Sequence, residues 1–432
     1  MKTSSFLVLA LAAVSHGQFD SGEKKFPVSS EGTLGEILDR LTPRQLGPTN
    51  MSGRIADIAV LESDPSTFYV ASASGGLWKT TSGGVSFSCV FDYGNTVSMG
   101  AVGLSQSDPN VVYVGTGEAS SRNSVSWGDG VYKSVDGGKT WTHLGLQLTK
   151  HISRVLVHPK NPNIVYVAAM GRLWGRNPER GIYKSTDGGK TWSFIFTQGS
   201  EAGVIDLDFD PRNPEVLYAC AWDRYRQPYF FQSGGPNSGM FKSTDGGKTW
   251  KKLTKGLPTG DTGRYGLSVS RTNPNHLIAT VEYRVPGAPV RISSTEEEEE
   301  DGMEQYAMQG GAAPAQQRPA TQGGGAPAAQ TPPRDPRFTG IPSDAQMNGG
   351  GLFESRDGGA SWELVKQINP RPFYFSTPLI DPQDPKTYYV LGMNLHRSTN
   401  SGTSWTSVAP NTVHADHHVI WSNPKNSKHL II

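Results

Sequence analysis

The 432-residue sequence predicts an all-β protein: a seven-bladed β-propeller of four-stranded antiparallel blades, the last blade incomplete in this chain. Three observations lead there. One phrase returns six times, as Ser134–Trp141 (SVDGGKTW), Ser185–Trp192, Ser243–Trp250, Ser355–Trp362 and, in worn form, Thr80–Phe87 and Ser398–Trp405. A proline turn precedes each copy, at Asp64-Pro65, Asp108-Pro109, Pro159–Pro162, Pro211–Pro214, Asn273-Pro274 and Pro382–Pro385, and a seventh stands at Asn423-Pro424. The 51 glycines and 30 prolines suit many short strands and turns, not long helices.

Each proline turn lies between two alternating apolar runs, as Ile152–Val157 and Ile164–Ala168 flank the third. These read as strands A and B. The Tyr/Phe-Lys-Ser before the phrase and the Thr-Trp after it read as strands C and D. The phrase itself is the turn between them: the Asp side chain bonds its own backbone and Gly-Gly tolerates positive φ. Asp136, Asp187, Asp245 and Asp357 are therefore expected to be structural, and Trp141, Trp192, Trp250, Trp362 and Trp405 to be buried, each beside its own turn. Successive tryptophans stand 51, 58 and 43 residues apart, but Trp250 and Trp362 are separated by 112 with one proline turn between them. The surplus, 285–349, passes through Glu296–Glu300 into a Gly/Ala/Pro/Gln-rich stretch that cannot bury a core. It reads as a disordered insertion leaving strand B of blade five and returning at strand C.

The repeated phrase resembles the Asp-box, or BNR repeat, of sialidases, xyloglucan-cleaving glycosidases and sortilin-type receptors. The resemblance covers nearly all of the chain from about Gly47 onward, and the overall pattern resembles sortilin-type and "glycosyl hydrolase, BNR repeat" proteins. It implies the propeller and leaves the function open.

Residues 1–17 read as a secretory signal, with Lys2, the apolar Phe6–Val14 and small residues before Gln18. The protein is expected to be exported, to the periplasm or the cell exterior. Residues 18–44 form an arm and 45–432 the propeller. Gln45-Leu46-Gly47-Pro48 followed by Arg54-Ile55-Ala56 echoes His143-Leu144-Gly145-Leu146 followed by Arg154-Val155-Leu156, so the start reads as a strand D closing the ring on the last blade. The sequence stops at Ile432, within strand B of blade seven, and a continuation with another box and further C-terminal domains is expected. A net charge of +1 gives no reason to expect nucleic-acid binding, no apolar run is long enough for a transmembrane segment, and no cofactor is called for. Cys89 and Cys220 fall in different repeats and are expected as buried free thiols, unlike the many cysteines of sortilin-type receptors.

In such a blade the proline turns and Asp-boxes share one face, and the variable B–C and D–A loops form the other, a shallow funnel where function is expected. Its candidate ligand-binding residues are Arg54, Arg122, Trp127, Arg172, Trp174, Arg176, Trp222, Arg224, Arg264, Tyr265 and Arg284. Arginines with aromatics suit a glycan or an acidic peptide. The expected function is a binding module for a glycan or peptide on this face. The alternatives are a glycoside hydrolase working through two funnel carboxylates, and a structural propeller of a larger protein. A hydrolase needs two carboxyl groups flanking the scissile bond, and Glu118, Glu201, Asp223 and Glu282 are the candidates. The xyloglucan-cleaving resemblance implies a catalytic aspartate two residues before a Gly-Gly pair in the first blade. Here Ala73 stands there, ahead of Gly75-Gly76, and that family's other aspartate belongs to a second propeller. Arg54 resembles the first arginine of the sialidase triad only loosely. His414, Asp416 and His418 point one way in an extended chain and form a weak candidate for a divalent ion; no metal is expected.

Overall fold

The computed structural model describes residues 19–20, 53–121, 125–227, 230–284, 349–370, 372–374, 377–408 and 416–432. Among these there is no α-helix. The chain builds six successive antiparallel sheets, four of four strands and two, in blades two and four, with a fifth strand added, and the first hairpin of a seventh. Blade three shows the pattern: Ile152–Val157, Val165–Ala169, Gly181–Ser185 and Ser193–Phe196 are strands A to D in sheet order. Blade seven contributes Trp421–Asn423 paired with Asn426–Ile431 across the Pro424 turn. The sequence reading of signal, arm, ring-closing strand and insertion falls on residues outside those described, except at two points. Phe19–Asp20 pairs with the outer strand of blade two. In blade five, Tyr283 at the end of strand B faces Gly349 at the start of strand C, so the two edges of the insertion meet in register.

The core lies between blades rather than within them. Strand B of blades one, two, three and six, and the first half of strand B in blade four, is mostly apolar and buried, so its two faces pack against both neighbouring sheets. Successive clusters join blades one and two around Tyr132 and Trp141, two and three around Ile152 and Val167, three and four around Tyr166 and Phe241, and four and five around Cys220 and Ala279.

Two kinds of polar joint reinforce these seams. The innermost strand A carries a β-bulge in each of blades one to five, which turns a side chain toward the next blade. Asp57 accepts the Val102 N–H of blade two at 3.0 Å, and Asp206 the Leu267 N–H of blade five at 2.9 Å. The second joint is the Asp-box. Lys79 and Tyr69 of blade one both donate to Gly137 O of the next box, at 2.8 and 2.9 Å. Lys184 with Tyr166, and Lys242 with Tyr218, repeat the grip on Gly246 O and Gly358 O. The strand C lysine and the strand B tyrosine are therefore inter-blade clamps.

Within a box the aspartate does what its turn requires. Asp136 accepts from Ser134 Oγ, the N–H groups of Lys139 and Thr140, and Thr140 Oγ1, and Gly137 and Gly138 sit at φ 72° and 92°. Asp187, Asp245 and Asp357 repeat the network, and these hydrogen bonds hold their carboxyls well below the usual range. Asp136→Ala should lower stability by about 1–2 kcal/mol, the scale of a lost local side-chain-to-backbone bond. Chemical denaturation checks it; an unchanged midpoint would remove the structural assignment.

The tryptophans correct the sequence reading in part. Trp141 and Trp362 are buried, whereas Trp192, Trp250 and Trp405 are half-buried. Each lies across its own box, and their indole N–H groups bond carbonyls such as Leu144 O and Gly247 O, which leaves one ring edge at the surface. Neither cysteine forms a disulfide; Cys220 is buried as expected, whereas Cys89 is only half-buried, at a short outer strand.

Candidate ligand-binding funnel

Blade four dominates the funnel face. Its strand B, Leu217–Gln227, runs beyond the sheet and folds back onto Phe230–Ser233, pairing Arg224 with Ser233. Trp222, Asp223 and Arg224 are thus strand residues, not the loop residues the sequence suggests. The alternation of Tyr218, Cys220, Trp222, Arg224 and Arg226 along one side explains why the strand continues. Trp222 and Asp223 also pair with Gly203 and Ala202 of strand A. Glu282 likewise lies near the end of strand B of blade five.

Trp222 is completely buried, and two guanidinium groups lie over its ring, Arg224 at 5.4 Å and Arg264 at 5.6 Å. Arg224 crosses to blade two, where Nη1 donates to Ala119 O at 2.7 Å and Ser121 Oγ at 3.0 Å. Arg264 is half-buried and donates to Tyr374 O at 2.6 Å. Tyr265 is buried and bonds Thr262 Oγ1.

Arg180, which the sequence reading did not single out, is wholly buried beneath this group. It donates to Glu201 O, Arg224 O, Arg172 O and Gly175 O, fastening the blade-three loop to blade four. Standing next to an ordinary strand C, it carries no signal that distinguishes it from a surface arginine. His151 is buried beside it; burial first, then the Arg224 charge, push its imidazole down to about 3, so it is neutral.

The four candidate carboxylates have different environments. Glu118 is buried and gripped by Arg54 through Nε at 2.6 Å and Nη2 at 2.5 Å. That bond chiefly raises the Arg54 pKa. Glu201 is half-buried, 3.4 Å from the exposed Arg176, which also lies over the Tyr225 ring at 5.6 Å. Asp223 accepts from Asn237 at 3.1 Å, and burial raises its pKa. Glu282 is the most perturbed. Burial pushes it up to about 7, against hydrogen bonds to the same oxygen from Ser233 Oγ at 2.5 Å and the Arg264 N–H at 2.8 Å. A Cβ on Gly263 would collide with that oxygen, so glycine is required for the carboxyl to lie on the strand.

The rim is aromatic. Trp127 is 56% exposed, with Lys150 Nζ 5.5 Å from its ring. Trp174 is half-buried, Arg172 and Arg284 are exposed, and Arg122 lies outside the described residues. At the sixth blade Asp416 and His418 approach to 3.5 Å, with Tyr374 edge-on to His418. His414 lies outside the described residues, and among those described no group of three metal-ligating side chains occurs.

Six Asp-box hairpins on successive four-stranded blades make this chain a BNR-repeat β-propeller. Residues 129–285 match the family model Sortilin-Vps10, described as "Sortilin, neurotensin receptor 3". The chain is 28% identical over 229 residues to a xyloglucanase of Hypocrea jecorina, covering 47% of this chain and 26% of that protein. It is 25% identical over 173 residues to a probable oligoxyloglucan-reducing end-specific xyloglucanase of Neosartorya fischeri, covering 37% and 18%. The crystal structure of the GH74 xyloglucanase from Xanthomonas campestris superposes with a TM-score of 0.55 at 15% identity, over 88% of this chain and 50% of that one. The matched regions therefore span about a quarter or less of these curated relatives, and half of the solved enzyme. Ala73, at the position where the xyloglucan-cleaving pattern has an aspartate, is fully buried and its N–H donates to Arg54 O. Among the described residues no helix is long and apolar enough to cross a membrane.

Proposed function

We propose that this is an exported propeller that binds a glycan on its funnel face. The observation that carries the reading is Trp127, which among the described tryptophans is the one left mostly exposed, standing on the rim beside Lys150 while Trp222 and Tyr265 are packed away. An exposed indole with a fixed backbone offers a flat apolar face to a sugar ring. Trp174 and the Arg176–Tyr225 stack extend that rim across blades three and four. The likeness to xyloglucanases supports a polysaccharide rather than a peptide as ligand.

Calorimetric titration with xyloglucan oligosaccharides and other plant and bacterial glycans tests it. Trp127→Ala should weaken the binding glycan by about tenfold, the scale of one lost aromatic contact, with the melting temperature unchanged because the ring packs little. No heat from any glycan would end the reading.

Hydrolysis is the second reading, favoured by one observation: Glu282 holds its proton up to about pH 7, as a general acid must. Reducing-sugar release from xyloglucan, abolished in Glu282→Gln, would establish it. Release that persists in Glu282→Gln would exclude this residue.

A further inference from the structure

The cations at the centre of the funnel lack matching anions. Arg180, Arg224 and Arg264 rest on backbone carbonyls, a hydroxyl and the Asn177 amide oxygen, and among the described residues none of the three has a carboxylate oxygen within 4.0 Å. The nearby acids are committed elsewhere. Glu118 is held by Arg54, Glu201 by Arg176, Asp223 by Asn237, and Glu282 by Ser233 and the Arg264 N–H. Arg224 is only 1% exposed, yet its Nε and Nη2 have no hydrogen-bond partner among the described residues, and neither has Arg264 Nε. A guanidinium N–H group buried without an acceptor is costly, and a buried charge without a counter-charge more so. Burial together with the mutual repulsion of Arg180, Arg264 and Arg226 drives the Arg224 pKa well down. Arg264, half-buried and stacked with Arg224 on Trp222, connects this cluster to the open funnel.

We infer that Arg224 and Arg264, braced on Trp222, receive the carboxylate of an acidic sugar, so that the funnel prefers uronate-containing glycans to neutral ones. The inference rests on the glycan-binding reading above and adds the class of sugar. A carboxylate suits the donors on offer: two planar guanidinium forks present Nε and Nη groups, which pair with its two oxygens in charge-assisted bonds. It also brings a negative charge into direct contact with the cluster, whose own acids act on it only from beyond 4.0 Å. A neutral sugar hydroxyl could accept one of these bonds but would leave the repulsion among the arginines in place.

The test compares an oligogalacturonate with the same oligomer methyl-esterified, titrated calorimetrically into the full chain beside a neutral xyloglucan oligosaccharide. The acid form should bind at least about tenfold more tightly than its ester, and its affinity should fall as salt rises. In Arg264→Met the acid-to-ester ratio should collapse toward one, and Arg264→Lys should restore part of it, since charge returns without the fork. The ratio is read within each folded variant, so a loss of overall stability does not mimic the effect. Equal affinity for acid and ester, a ratio unmoved by Arg264→Met, or binding of the neutral oligosaccharide alone would overturn the inference and leave glycan binding standing. Failure of all three glycans to bind would overturn both.

Discussion

Arg154→Met should destabilise the folded chain by about 3 kcal/mol at pH 7, the low end for removing one partner from a buried ion pair, since the arginine keeps some contact with water. Arg154 stands on strand A of blade three and joins three blades. Its Nε donates to Asp206 Oδ1 of blade four at 2.8 Å, and its Nη1 lies 3.5 Å from Asp57 Oδ1 of blade one. Both carboxylates also accept main-chain N–H groups across the seams, so neither can turn away to solvent without breaking an inter-blade bond. Asp206 is the main reason that the Arg154 pKa is raised, while burial already raises that of Asp57. Without the arginine, protonation of Asp57, whose pKa burial and the Asp206 charge already raise, becomes a way to relieve the repulsion. The deficit should therefore shrink as pH falls from 7 toward 5, because a carboxyl whose folded pKa is raised gains relative stability on protonation. Urea denaturation at both pH values measures this. Adding Asp57→Asn and Asp206→Asn to Arg154→Met should recover much of the loss, since both amides still accept the seam N–H groups. A single mutant as stable as wild type at pH 7 would show that the three charges do not hold the blades together.

Arg154 also illustrates where the sequence ceases to be informative. In the sequence it only opens the run Arg154-Val155-Leu156, yet it is tied into the innermost ring, because a bulge one residue away sets its direction. The box turns are legible since each position demands a residue type: an aspartate to accept from the turn backbone, and glycines at positive φ. The Lys-Gly clamp is not legible, although its lysine sits in plain view in Tyr183-Lys184-Ser185 and Phe241-Lys242-Ser243. The bond joins one repeat to the next, and a period shows likeness between repeats without showing contact between them. The hairpin of blade four is hidden for another reason. Arg224 and Arg226 occupy inward strand positions where apolar residues are expected, and Pro228 follows as a turn signal. A strand whose buried face is cationic looks like a loop until its partners are known. The aromatic and arginine content of the funnel is thus readable, but not which members are walls and which are rim.

Glu282→Gln should raise stability at pH 8 by up to about 3 kcal/mol and flatten the dependence of stability on pH between about 4.5 and 7. The ordinary glutamate value of 4.5 applies to the unfolded chain, whereas burial in the folded blade pushes Glu282 up to about 7. A carboxyl with a raised folded pKa binds its proton more tightly in the folded state. Its stabilising contribution is full below about pH 4.5, declines as pH rises, and is gone above about pH 7. Glutamine stays neutral throughout and so removes that decline. Its side-chain oxygen can still accept from Ser233 Oγ and from the Arg264 N–H, and the space over Gly263 is filled by a group of the same shape. The Arg264 charge favours ionised Glu282, but its effect is smaller than that of burial. Other buried acids, Asp208 and Asp223 among them, titrate equally in both proteins and drop out of the comparison. The measurement is the difference in unfolding free energy between variant and wild type at pH 5 and pH 8. A difference that does not grow with pH would mean that Glu282 is already ionised in the folded chain, and would remove the general-acid reading along with the stability gain.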